Sequence, residues 1–228
     1  MSADAVPQPP RKRYSPMEEE ILFKPFTRPL ARALARTPLT PNQVTAIGFL
    51  VAAAAACVVA FVYPRGTVPA RVAVALALYV SFFFDKLDGD LARAKGTSSP
   101  RGAYLDSFLD RLSEVVLFAG ILVATGFSNP YWVAAAAIGP ILYWSHLYMY
   151  WHYSAKGEKS FFPTERSLAR NLKNLITFTR AKYFLLLIVL TLAGSLEWSI
   201  YILALLIPYT MLLFVPLFFR TKPGGASA

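Results

Sequence analysis

The chain has 228 residues, enough for one domain, with 56% hydrophobic residues, a mean hydropathy of +0.45 and a formal net charge of +10. Its apolar residues fall in blocks of about 17 to 22, the helix length that crosses about 30 Å of hydrocarbon, which excludes a water-soluble bundle with polar residues every three or four positions. Lys and Arg cluster between the blocks, as the positive-inside rule and anionic headgroups expect, so the basic charge does not argue for nucleic acid as a partner.

In chain order, residues 1–14 form a basic tail with Pro7, Pro9, Pro10 and the run Arg11-Lys12-Arg13, and disorder is expected there. No cleavable signal sequence is expected in so polar a start. Residues 15–38 read as an amphipathic helix lying in the membrane interface. Ser15 is its expected N-cap, with Pro16 at N1 and Glu18 closing a capping box. Pro25 and Pro29 should bend or break it.

Residues 39–220 are read as a six-helix transmembrane domain, followed by a tail at 221–228. The spans are placed at about Asn42–Tyr63, Val68–Arg93, Gly102–Gly126, Tyr131–Tyr153, Ile176–Leu196 and Trp198–Phe219. The fold class is therefore all-α integral membrane. With the N-terminus cytosolic, only Arg65 and Arg71 of the 23 Lys and Arg residues fall on the far side. Both termini are then cytosolic in a multi-pass cell-membrane protein. Tyr131, Trp132, Trp198 and Tyr201 mark the outer interface, and Tyr148, Tyr150, Trp151 and Tyr153 the inner one. A long cytosolic loop, Ser154–Thr179, carries five basic residues. Cys57 is the single cysteine, inside an apolar run, and has no internal disulfide partner.

Six of the thirteen acidic residues lie between Asp85 and Glu114, at the cytosolic ends of the second and third spans. Ionisable groups at membrane depth are expensive, so such a cluster points to function. Asp85 and Asp88 are three apart and share a helix face; Asp106 and Asp110, four apart, share another. A short connection, Ala94–Arg101, makes the two helices antiparallel neighbours, so the four carboxylates can converge. Crowded carboxylates need counter-charge, which Arg93 and Arg111 are expected to supply in part. Oxygen ligands in this number suit Mg²⁺, Mn²⁺ or Ca²⁺ rather than zinc. A structural ion-pair network would explain one or two of these aspartates, not two helical pairs. A cation channel would need acids along the whole path, and the outer half offers only Glu197. Asp90 and Glu114 lie outside the pairs; Asp90 is expected to face water, and Glu114 to support Arg111 or the metal. His146 and His152, six apart, face different sides and make poor co-ligands.

The run from Asp85 through Asp88, Gly89, Ala92 and Arg93 to Gly102, Asp106 and Asp110 fits D-x2-D-G-x2-A-R-x8-G-x3-D-x3-D at every fixed position. In this the chain resembles the CDP-alcohol phosphotransferases, and the resemblance extends to the interfacial helix and six spans. It implies Asp85, Asp88, Asp106 and Asp110 as ligands of two Mg²⁺ or Mn²⁺ ions, with Asp110 also the base on an acceptor hydroxyl. It implies Gly89, Ala92, Arg93 and Gly102 as elements that bind cytidine and diphosphate, with Ser99 as a hydroxyl near the donor and Asn42 and Thr45 reaching it. It implies transfer of a phosphatidyl-type group from a donor such as CDP-diacylglycerol to a small or phosphorylated alcohol, with release of CMP, in phospholipid synthesis by a homodimer. Arg180 and Lys182 read either as positive-inside residues or as part of a pocket for a phosphorylated acceptor. Membrane prenyltransferases also bind a diphosphate between aspartate motifs, but lack the A-R-x8-G bridge that this sequence has.

Overall fold

The structure is a computed structural model that describes residues 17–154, 180–210 and 212. The predicted tail at 1–14, the Ser15-Pro16 cap, loop residues 155–179, the end of the sixth span and the tail at 221–228 lie outside them. Among the described residues the fold is all-helical.

Helices α1 (Met17–Leu22) and α2 (Lys24–Leu34) precede α3 (Pro41–Val62), α4 (Val68–Lys95), α5 (Pro100–Thr125), α6 (Pro130–Ser154), α7 (Arg180–Ala193) and α8 (Trp198–Ala204). A 3₁₀ turn, Tyr63–Arg65, joins α3 to α4. The starts follow local chemistry. Thr40, Thr67 and Ser99 sit in extended backbone, and each side-chain oxygen accepts an N–H of the first turn. Thr40 and Gln43 complete a reciprocal capping box. Prolines stand in the first turns of all three helices, where a missing N–H is no loss. Helix α4 stops at Gly96, whose φ of 67° is left-handed backbone that glycine adopts without strain.

The N-terminal segment, read as an amphipathic helix that Pro25 and Pro29 should bend or break, is two helices. The break falls at Phe23, ahead of Pro25, and Pro29 is carried inside α2. Phe23 is buried, stacks on Tyr79 at 5.1 Å and meets the edge of Phe82 at 4.8 Å. Tyr79 Oη donates to the Leu22 carbonyl at 3.1 Å. The kink therefore serves to seat one aromatic ring in the core.

Helix α3 lies between α4 and α5; α4 is also flanked by α2 and α7, and α6 packs on α8. Backbones of α3 and α5 approach so closely at Gly120 that a Cβ there would stand 2.7 Å from the Ala56 carbonyl oxygen. The core joins Val59, Leu78, Phe82, Ile121, Phe184 and Leu187 from four helices. Large apolar side chains such as Leu50, Phe61, Leu76, Val115 and Val189 face outward, and Cys57 is exposed with them. Among the described residues, Pro41–Arg65 and Val68–Lys95 are long and apolar enough to cross a bilayer.

Candidate active site

Helices α3, α4, α5 and α7 enclose a cleft lined by Thr45, Asp85, Asp88, Asp110, Ser113 and Arg180. The helical pairing read from sequence puts the acids here. Carboxylate oxygens of Asp85, Asp106 and Asp110 lie within 4.8 Å of one another. Asp88 is adjacent and nearly fully buried; its Oδ2 accepts from Thr45 Oγ1 at 2.6 Å. Thus Thr45, expected at the donor, holds an aspartate of the cluster in place.

The counter-charge differs from expectation. Arg93 pairs with Asp90, and Arg111 Nη1 pairs with Glu114 at 2.7 Å. The cation at the centre is Arg180, at the start of α7. Its buried guanidinium pairs with both Asp85 and Asp110, and its Nε lies 3.2 Å from Glu114 Oε1. Lys86 Nζ adds a second charge, 2.9 Å from Asp85 Oδ2 and 3.2 Å from Glu19. Among the described residues, five carboxylates (Asp85, Asp88, Asp106, Asp110, Glu114) thus face Arg180, Lys86 and Arg111, an excess of negative charge. Asp85 Oδ2 and Glu114 Oε1 are buried, and each meets one cationic nitrogen, Lys86 Nζ at 2.9 Å and Arg180 Nε at 3.2 Å, without hydrogen-bond geometry. The uncompensated negative charge favours a further cation, and an all-oxygen set, with no His or Cys among the described residues, fits a hard divalent ion.

The residues expected at the nucleotide also come together. A Cβ on Gly102 would stand 3.2 Å from Ser99 Oγ and 3.3 Å from Asn42 Oδ1. Ser99 Oγ accepts from the Gly102 N–H at 3.0 Å as the α5 cap. The N-termini of α3 and α5 therefore meet at one place, where unpaired N–H groups and helix dipoles favour an anion. Gly89 lies beneath the Arg93 guanidinium, whose nitrogens would be 3.4 Å from a Cβ there. Ala92, one turn on from Asp88, is partly buried beside it.

Asp90 does not face water. It is 6% exposed and takes Lys24 Nζ at 2.9 Å and Thr27 Oγ1 at 2.6 Å, besides Arg93. Sequence reasoning missed this partner because Lys24 is 66 residues away, on an element read as a surface helix. Glu114, expected to support Arg111 or the metal, pairs with Arg111 and also lies against Arg180. The side chains of His146 and His152 and of the inner aromatics Tyr148, Tyr150, Trp151 and Tyr153 lie outside the described residues.

Comparison with known proteins agrees with this geometry. The chain is 36% identical over 126 residues to phosphatidylinositol phosphate synthase of Mycobacterium marinum, covering 54% of this chain and 51% of that one. It is 38% identical over 92 residues to archaetidylinositol phosphate synthase of Pyrococcus horikoshii, covering 40% and 45%. The chain thus spans about half the length of the curated relatives it matches. The crystal structure of Mycobacterium tuberculosis phosphatidylinositol phosphate synthase with CDP-DAG bound has the same fold, with a TM-score of 0.60 at 24% identity over 90% of this chain and 98% of that one. A second structure of that enzyme, in complex with manganese and citrate, aligns with a TM-score of 0.58 at 23% identity, over 89% and 92%. The family model for CDP-alcohol phosphatidyltransferase matches residues 38–207, which sets aside the prenyltransferase alternative. The chain is a member of the CDP-alcohol phosphatidyltransferase family.

Proposed function

We propose that this protein transfers a phosphatidyl-type group from a CDP-linked lipid such as CDP-diacylglycerol to a phosphorylated polyol of the inositol phosphate class, releasing CMP. The observation that carries the reading is the convergence of Asp85, Asp106 and Asp110 within 4.8 Å at the cleft. The acceptor class is supported by the names of the relatives.

Asp85, Asp88, Asp106 and Asp110 would hold two Mg²⁺ or Mn²⁺ ions, with Asp88 kept in place by Thr45. Bound there, the ions neutralise the donor's diphosphate and its departing CMP. The donor lies across the N-termini of α3 and α5, with Asn42, Ser99 and Gly102 at the nucleotide and Arg93, Gly89 and Ala92 at the diphosphate. Asp110 takes the proton of the acceptor hydroxyl. The acceptor oxygen bonds to the β-phosphorus, and the bond from that phosphorus to the CMP oxygen breaks. Arg180 has three carboxylate partners, so it retains Asp85 and Glu114 while Asp110 turns to the acceptor.

In this reading the protein is a multi-pass enzyme of the cell membrane, with six spans in residues 39–220 and cytosolic termini and site. The basic tail at 1–14 precedes the α1–α2 segment, which lies in the interface within residues 15–38. Support for that placement comes from Ile21, Phe26 and Leu30, which point outward while Lys24 and Thr27 point inward. Residues 221–228 form a tail, and the enzyme works as a homodimer.

The test is CMP release by purified protein from a panel of CDP-linked donors and alcohol acceptors. Release is expected with CDP-diacylglycerol and inositol phosphate in Mn²⁺ or Mg²⁺, and none after chelation. No release from any CDP-linked donor overturns the reading.

A further inference from the structure

Asp85 and Asp88 of the α4 motif line the cleft, while Leu87, Asp90 and Leu91 turn toward α2 and α3. Leu87 and Leu91 are fully buried in a small apolar cluster with Ala31 of α2 and Val44 of α3. Asp90 sits beside them and binds α2 through Lys24 and Thr27. Its Oδ1 takes Lys24 and Arg93, and its Oδ2 takes Thr27, so both oxygens are satisfied.

Arg93 differs from its partner in exposure. Its side chain is 49% exposed, whereas Asp90 and Lys24 are at 5%. The guanidinium folds back along α4, over the bare surface of Gly89 and against Asp90. It is thus fixed on two sides, with further N–H donors left open for a ligand. One carboxylate between two cations also leaves a net positive charge at this rim. Without Asp90, the carboxylate nearest along α4 to Arg93 is Asp88, in the metal cluster.

We propose that Asp90 is a positioning residue for the donor. It holds the Arg93 guanidinium in the orientation that meets the donor's diphosphate and keeps it away from the metal-binding acids. The inference rests on the proposed function, in which Arg93 meets the diphosphate.

A tether that merely fastens α2 would leave donor binding unchanged once the buried charges are removed together. Replacing a buried ion pair by apolar residues of similar size is often neutral for stability, whereas removing one partner strands the other. The test is therefore Lys24→Met alone and Lys24→Met with Asp90→Leu, each followed by melting in detergent and by steady-state CMP release. Lys24→Met leaves Asp90 on Arg93, so the donor KM is expected to stay at the parent value. The paired variant is expected to melt near the parent, with a donor KM raised about tenfold, the worth of a charge-assisted hydrogen bond, and an unchanged acceptor KM. If that variant does not fold, Lys24→Met with Asp90→Asn is expected to shift the donor KM in the same direction, severalfold. In an Arg93→Ala background the change at Asp90 is expected to add nothing. A parent-like donor KM in a folded paired variant overturns the inference alone. Absence of CMP release by the parent overturns the proposed function, and this inference with it.

Discussion

Helix α4 carries two carboxylate sites within six residues, and they are built on opposite terms. Around Asp90 one acid meets Lys24, Arg93 and Thr27, and both its oxygens have partners. Around Asp85, among the described residues, five acids meet three cations, which leaves negative charge uncompensated. Crowded carboxylates without matching counter-charge are costly, so the first arrangement is frame and the second suits a divalent cation. The difference shows how one helix serves two purposes: a balanced group fixes its neighbours, and an unbalanced cluster is where the proposed cation would bind.

Predictions follow from that contrast. The largest effect is expected at Asp110. Asp110→Asn keeps the shape of the side chain and removes the proposed base, so CMP release should fall by about 10²–10⁴-fold. Binding of the CDP-linked donor, measured by calorimetry, should change little. A near-parent turnover would place the base elsewhere in the cluster.

Arg180→Met comes next. It leaves Asp85, Asp110 and Glu114 facing one another with their central cation gone. A loss of about 3–5 kcal/mol in the metal-free protein is expected, as for a broken buried pair. Divalent metal should restore much of it, about 2.7 kcal/mol at a hundredfold excess over Kd. The check is the melting temperature of the variant with chelator and with Mn²⁺; no rise on adding Mn²⁺ would mean that the cluster does not bind the ion.

Gly120→Ala probes the frame far from either site. Its Cβ would stand 2.7 Å from the Ala56 carbonyl, so α3 and α5 must separate. A stability loss of about 1–3 kcal/mol is expected, read by thermal melting. Ser99→Ala has the smallest effect, about 1 kcal/mol for a lost N-cap. Ser99→Asp restores the cap yet sets a negative charge beside the nucleotide-side cleft. Recovered stability with a raised donor KM is expected there, and recovery of both would limit Ser99 to capping.

Much of this was legible along the chain. Within one helix, spacing alone puts Asp85 with Asp88 and Asp106 with Asp110 on shared faces, because 3.6 residues per turn is a local rule. The starts of α3, α4 and α5 were close to readable from Thr40, Thr67, Ser99 and the prolines after them, because capping involves neighbours in sequence. The motif carried the family, since it fixes eight residues in one continuous stretch. A break near Pro25 was legible, because proline cannot continue the helix that precedes it; its place at Phe23 was not, because the ring's contacts with Tyr79 and Phe82 come from α4.

The sequence by itself therefore determined the helices, the two acid pairs and the reaction family. Only the tertiary structure decided which charges face them. Arg180 reaches Asp85 across 95 residues, and Lys24 reaches Asp90 across 66. Such pairs are chosen by how helices pack, which places distant residues a few ångströms apart and excludes the water that would otherwise solvate them. No periodicity within one segment encodes that choice. It is also what turns Asp90, an acid expected to face water, into a buried support beside the site.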